Sequence, residues 1–124
     1  MYSTKKLLIV DDEVDIRTLC RAVIHRYFKL EVFQTDSIEK AYTLIKQENI
    51  DFILLDLYLP DGWGLDLIKK MKKEDMNVDF LIISAHSQNK EEETAYEMGA
   101  HAFIKKPFQS AQLVAALKKM IENK

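Results

Sequence analysis

The sequence predicts a doubly wound α/β fold, with five parallel strands alternating with five helices, and three observations lead to it. Short runs of consecutive apolar residues recur along the chain, and the strongest of them each stop at an acidic or hydroxyl residue. Segments with apolar residues at helical spacing fill the intervals. Turn-forming punctuation is scarce: three Gly (Gly62, Gly64, Gly99) and two Pro (Pro60, Pro107) in 124 residues. Sandwiches and barrels need many tight turns, and nucleotide cradles need glycine-rich loops, so this inventory argues against both.

Leu7-Leu8-Ile9-Val10 opens the pattern and ends at Asp11-Asp12-Glu13. A run apolar on consecutive residues suits a parallel strand buried on both faces. Val14 to Tyr27 follows as a helix, with Ile16, Leu19, Val23 and Tyr27 on its inward stripe and Ala22 alongside. Leu30 to Phe33 is more mixed and reads as a flanking or edge strand. Ser37 to Gln47 is the second helix, facing inward through Ile38, Ala41, Tyr42 and Ile45, with Asp36 and Glu39 at capping-box spacing.

Phe52 to Leu55 is the third strand, ending at Asp56, and Leu65, Ile68 and Met71 set the third helix. Phe80 to Ile83 runs to Ser84 as the fourth strand. Thr94, Ala95 and Met98 mark the fourth helix, with Asn89 and Glu92 at capping-box spacing and Gly99 as its stop. Ala102-Phe103-Ile104 is the other flanking strand. The last helix, Ser110 to Glu122, carries Leu113, Val114, Leu117, Met120 and Ile121 on one stripe. No linker, repeat or low-complexity stretch interrupts the alternation, so one domain over residues 1–124 is expected, without a second or output domain.

Composition narrows the function. Hydrophobic residues make up 48% and charged residues 31%, which excludes disordered and membrane classes. Lys plus Arg number 18 against 20 Asp plus Glu, a net charge of -2 that disfavours a phosphate-gripping nucleic-acid binder. The lone Cys20 cannot close an internal disulfide and reads as a buried, inert thiol. Only four apolar residues follow the N-terminal Met1 to Lys6 before Asp11, too few for a signal-peptide core or a membrane span. A reducing cytoplasm is the expected location.

In an open α/β sheet, ligands collect at the carboxyl ends of the strands. Those ends carry Asp11 and Asp12, Asp56, Ser84 and Lys106. Three carboxylates with one lysine leave two negative charges, which a single Mg²⁺ held by hard oxygen ligands would cancel. A cation beside a carboxylate and a hydroxyl is a phosphoryl-transfer constellation, where positioning and charge neutralisation do most of the work. Each residue alone has a duller reading: Asp12 as a helix cap, Asp56 as a loop acid before Pro60, Lys106 as a solvated side chain. Ser84 alone is uninformative, and the weight lies in all of them falling at strand ends of one sheet.

Asp11-Asp12, Asp56 with Pro60 and Gly64, Ser84-Ala85, and Phe103-Ile104-Lys105-Lys106-Pro107-Phe108 together resemble the receiver domain of two-component response regulators, over essentially the whole chain. A stand-alone receiver of the CheY kind is the nearest type. The resemblance implies a flavodoxin-like sheet of order 2-1-3-4-5 with helices on both faces. It implies that Asp56 accepts a phosphoryl group from a phosphohistidine on a sensor kinase or phosphotransfer protein. Asp12, Asp56 and the backbone carbonyl of Tyr58 would hold Mg²⁺, with Asp11 acting mainly through a bound water. Lys106 would pair with Asp56 and then the phosphoryl oxygens, and Ser84 would bond the phosphoryl group. Phe103 would be the aromatic switch, and Lys106-Pro107 a cis peptide. Output would pass to an effector protein through the fourth helix, fifth strand and fifth helix, with no nucleic-acid or membrane partner. The chain would not be an enzyme beyond its own phosphorylation and dephosphorylation.

Several positions depart from the family pattern or stand outside it. Trp63 occupies the place before Gly64 where Asp, Ser or Thr is common; it is either a half-buried brace for the turn or a docking ring. Phe103 replaces a more frequent tyrosine. Bulky Tyr58, two residues after Asp56, is expected to hinder the hydrolytic water and lengthen the phosphorylated lifetime, while His86 stands at the other flank with either sign of effect. His25 and His101 lack ligand spacing, Glu91 to Glu93 favour a helix N-terminus, and Lys69-Lys70 with Lys72-Lys73 read as a solvated face. Two other readings stay open: a Mg²⁺-dependent phosphatase with Asp56 as nucleophile, and a pseudo-receiver that only binds partners. Tyr58 stands where the first would carry a second acid, and the intact acidic and lysine set argues against the second.

Overall fold

The computed structural model describes residues 4–85 and 88–122. In chain order the elements are β1 (Lys6–Val10), α1 (Val14–Tyr27), β2 (Glu31–Thr35), α2 (Ile38–Glu48), β3 (Phe52–Leu55), β4 (Tyr58–Leu59), β5 (Gly62–Trp63), α3 (Gly64–Lys73), β6 (Asp79–Ser84), α4 (Asn89–Glu97), β7 (Phe103–Lys105) and α5 (Ser110–Glu122). Five parallel strands lie in the order β2-β1-β3-β6-β7, and β4 pairs with β5 in a small antiparallel hairpin. With the hairpin set aside, this is the expected 2-1-3-4-5 order of a doubly wound, flavodoxin-like sheet.

The consecutive apolar runs divide by parity between two cores, as the two-residue period of a strand requires. Leu8, Val10, Ile53, Leu55 and Ile82 face α2, α3 and α4, packing with Ala41, Ile45, Leu65, Ile68, Met71 and Ala95. Leu7, Ile9, Phe52, Leu54, Leu81 and Ile83 face α1 and α5, packing with Cys20, Val23, Ile24, Leu113, Leu117 and Met120. Each Leu, Ile, Val, Phe or Met among them removed from water is worth about 1.5–3 kcal/mol.

The inward stripe of α1 differs from expectation. Leu19 and Tyr27 are 38% and 52% exposed, and the buried positions are Cys20, Val23 and Ile24. Together with half-buried Ile16 these follow the i, i+4, i+7, i+8 pattern, one residue on from Leu19 and so turned about 100° around the helix. The small thiol at Cys20 carries the stripe, a role its size disguises. Burial pushes its pKa up to about 12, so it is the inert thiol expected.

The caps also differ. Ser37, not Asp36, caps α2, its Oγ accepting Lys40 N–H at 3.3 Å. Asp36 pairs with Lys40 Nζ at 3.2 Å instead. Two further free N–H groups of this helix, on Ile38 and Glu39, donate to Asp61 at 2.9 and 3.0 Å from the β4–β5 turn. Helix α4 starts at Asn89 itself, with Gln88 at the cap position and no side-chain cap bond, so the box with Glu92 does not form. Asp12 does not cap α1 either; Glu13 stands there, also without a cap bond. Gly99 does end α4, at φ +104, a conformation that side chains rarely adopt.

Candidate functional site

The sheet's own hydrogen bonding brings the strand ends level. Val10 is in register with Leu55, and Leu55 with Ile82. The ladder runs one step past the strands: Asp11 N–H donates to Thr35 O at 3.1 Å, and Asp56 N–H to Val10 O at 2.9 Å. Lys106 N–H donates to Ser84 O at 2.9 Å. Asp11, Asp56, Ser84 and Lys106 therefore share one rim, and the Lys106–Pro107 peptide is cis.

Gly64 is required by close approach. A Cβ there would lie 2.1 Å from the carbonyl oxygen of Asp56, far inside any van der Waals contact. Its N–H donates to Leu57 O at 2.6 Å. The start of α3 thus abuts the backbone of Asp56, and only glycine leaves room.

One ammonium serves several acids. Lys106 Nζ lies 2.7 Å from Glu13 Oε1, 2.9 Å from Asp11 Oδ2 and 3.1 Å from Asp56 Oδ2. Burial alone would lower the lysine's pKa, but its contacts with Glu13 and Asp11 and the charge of Asp56 raise it above the usual value. Burial raises the Asp11 and Asp56 carboxyls above the ordinary carboxylate value, against the opposing pull of Lys106. Mutual repulsion adds to this, between Asp11 and Asp56 and between Asp56 and Asp12.

The sequence-derived charge count omitted Glu13. With it the rim holds four carboxylates against one lysine, three negative charges rather than two. Carboxylate oxygens of Asp11, Asp12 and Asp56 all lie within 4.8 Å of one another. Buried Asp11 Oδ2 makes its ion pair with Lys106 but no well-formed hydrogen bond. Three hard oxygen donors, a partly exposed edge at Asp12 and an excess of negative charge fit a divalent cation such as Mg²⁺.

The remaining expected residues fall around this rim. Ser84 is fully buried at the end of β6. Tyr58 is 45% exposed; its N–H donates to Asp56 Oδ1 at 3.4 Å and its hydroxyl donates to Glu91 on α4. Phe103 is half-buried against the core on the α2–α4 side. Trp63 packs partly into the same core with Lys69 Nζ 5.0 Å from its ring centre, which fits the brace rather than the docking ring. His86 lies outside the described residues. Beyond Glu13, sequence reading missed Arg17, whose guanidinium donates to Asp11 O at 2.7 Å, and the tie from Tyr58 to Glu91. Only the third consecutive acid after β1 signalled Glu13, since its partner Lys106 is 93 residues away.

Residues 7–118 match the family model described as the response regulator receiver domain. Response regulator SaeR of Staphylococcus aureus (strain USA300) is 33% identical over 93% of this chain and 50% of its own length. The chain therefore spans about half the length of the curated relatives it matches. The non-phosphorylated HemR receiver domain from Leptospira biflexa is 30% identical with a TM-score of 0.84, covering 95% of this chain and 94% of that one. A CheY-like receiver domain protein from Methanospirillum hungatei JF-1 shares the fold with a TM-score of 0.87 at 24% identity, over 98% of this chain and 96% of that one. No described helix is long and apolar enough to cross a membrane.

Proposed function

This chain belongs to the response regulator receiver domain family of two-component systems, and from that premise we propose that it is a phosphorylation-activated switch with Asp56 as the acceptor. The observation that carries the reading is the shared contact of Lys106 with Asp56, Asp11 and Glu13 at one sheet rim. Asp56 Oδ attacks the phosphorus of a kinase or phosphotransfer-protein phosphohistidine. The P–O bond forms as the P–N bond breaks, and the imidazole leaves with the electron pair. Lys106, already beside Asp56, balances charge on the transferred group. Ser84, at the end of β6, would bond its oxygens.

Asp11, Asp12, Asp56 and the Tyr58 carbonyl would hold Mg²⁺, which when bound neutralises the acids and the incoming phosphoryl group. Raised carboxyl pKa values mean that the acids strain against ionisation while alone, and a bound cation relieves that. Phosphate then biases a pre-existing conformational equilibrium, with Ser84 and Phe103 as relay and the α4–β7–α5 face as the surface offered to an effector protein. The only reaction assigned is the gain and loss of its own phosphate, in the cytoplasm.

Incubation with Mg²⁺ and acetyl phosphate, read by intact mass, tests this. One added phosphate in the wild type and none in Asp56→Ala is the expected result. Turnover of added phosphoesters would point to a phosphatase, and an unmodified wild type would leave a pseudo-receiver.

A further inference from the structure

Tyr58 joins two parts of the molecule that are 33 residues apart in sequence. At its stem, the backbone N–H reaches Asp56 Oδ1. At its tip, the hydroxyl donates to Glu91 in the first turn of α4. Strand β6, with Ser84 at its end, lies beside β3 and precedes α4 in the chain, so the ring links the acceptor loop to the helix that follows that strand. Tyr58 is 45% exposed, so its ring stands in contact with water beside the acceptor loop. Helix α4 has no side-chain cap, and its first turn is held from outside by this bond and by Lys105–Glu92 at 4.0 Å.

We propose that Glu91 is a positioning residue: it pins the Tyr58 ring beside the acceptor carboxylate, slowing hydrolysis of phosphorylated Asp56 and tying the acceptor loop to α4. This rests on the receiver reading. In the hydrolysis, a water oxygen bonds phosphorus as the P–O bond to Asp56 breaks. The carboxylate and inorganic phosphate result, and the water's proton passes to solvent. That water must approach opposite the leaving oxygen, so a bulky group fixed nearby lowers the population of productive approaches. A phenol bonded to a carboxylate is charge-assisted and holds a ring better than packing in open solvent does.

The test measures decay of the phosphoprotein by intact mass after acetyl phosphate is removed, with amide exchange of α4 in the unmodified protein alongside. Tyr58→Phe and Glu91→Ala should each shorten the lifetime by about three- to tenfold, the range of one hydrogen bond. The double variant should be no faster than either, and Glu91→Gln, which still accepts but without charge assistance, should fall between the wild type and Glu91→Ala. First-turn amides of α4 should exchange faster in both disrupting variants. Unchanged lifetime in Glu91→Ala, or effects that multiply in the double variant, would overturn the pinning. A wild type that takes no phosphate would overturn the receiver reading and the hydrolysis half together, while the exchange data would still decide the tie to α4.

Discussion

The two rims of the same sheet handle charge in opposite ways. At the amino ends of the strands, charges are matched locally and in contact with water. Asp51 accepts Lys6 N–H at 2.9 Å and lies 3.9 Å from Lys5 Nζ, and Glu48 lies 3.6 Å from Lys6 Nζ. At the carboxyl ends, Asp11, Glu13 and Asp56 gather around Lys106 with Asp12 close to Asp11 and Asp56, and Asp11 and Asp56 are buried to 2% and 6% exposure. Burying like charges is unfavourable, and the second rim is held there by the surrounding core. The fold tolerates electrostatic strain where a ligand can relieve it and avoids strain where none is expected.

Removing the compensating cation should break this contrast most severely. Lys106→Ala leaves buried carboxylates without a balancing cation and should lower stability by about 3 kcal/mol at neutral pH, read by urea denaturation. An unchanged midpoint would mean that the ammonium balances nothing.

Relief by metal comes next. Stabilisation by Mg²⁺ should approach about 2.7 kcal/mol at a hundred times its Kd. The pH dependence has a definite sign. Folding raises the pKa of Asp11 and Asp56 above 3.8, so their contribution to stability is fully present below that pH. It is lost as pH rises through the folded values. Thermal melting without metal should therefore register a declining contribution from this pair above about pH 4, and Asp56→Asn should flatten it. Full retention of the Mg²⁺ response in Asp56→Asn would remove that residue from the metal set.

Gly64→Ala should cost about 2 kcal/mol and slow phosphorylation as well, because its Cβ must displace the Asp56 backbone. Asp61→Ala should cost about 1 kcal/mol and speed amide exchange at the start of α2, where Asp61 accepts two N–H groups. The carboxyl of Asp61 shifts the opposite way to those of the rim: slight burial raises it, but the Ile38 and Glu39 N–H groups outweigh that and lower it. Its support is present above the unfolded pKa and lost as pH falls through the folded value. Lys5→Ala, at the other rim, should change stability by less than about 0.5 kcal/mol, since that pair is exposed and screened. A larger loss there would erase the distinction between the rims.

Strands were legible because parallel strands buried on both faces must be apolar at every position, as Leu7 to Val10 and Phe52 to Leu55 are. Strand-end chemistry was legible because Asp11, Asp56 and Ser84 interrupt those runs. Helix faces were harder: α1 turned by one residue because packing against the sheet and α5 chooses Cys20 over Leu19. Caps were harder still, since Asp61 reaches α2 from 22 or 23 residues away and outcompetes the local box at Asp36.

By itself the sequence determined the alternation of elements, the parallel sheet and the residues at its carboxyl rim, because periodicity and abrupt polar stops are local signals. The tertiary structure alone decided how those residues share charge. Lys106 divides itself among three acids, Glu13 joins the site, and Tyr58 reaches Glu91. Those partners are far apart along the chain, and only sheet register and helix placement bring them within hydrogen-bonding distance.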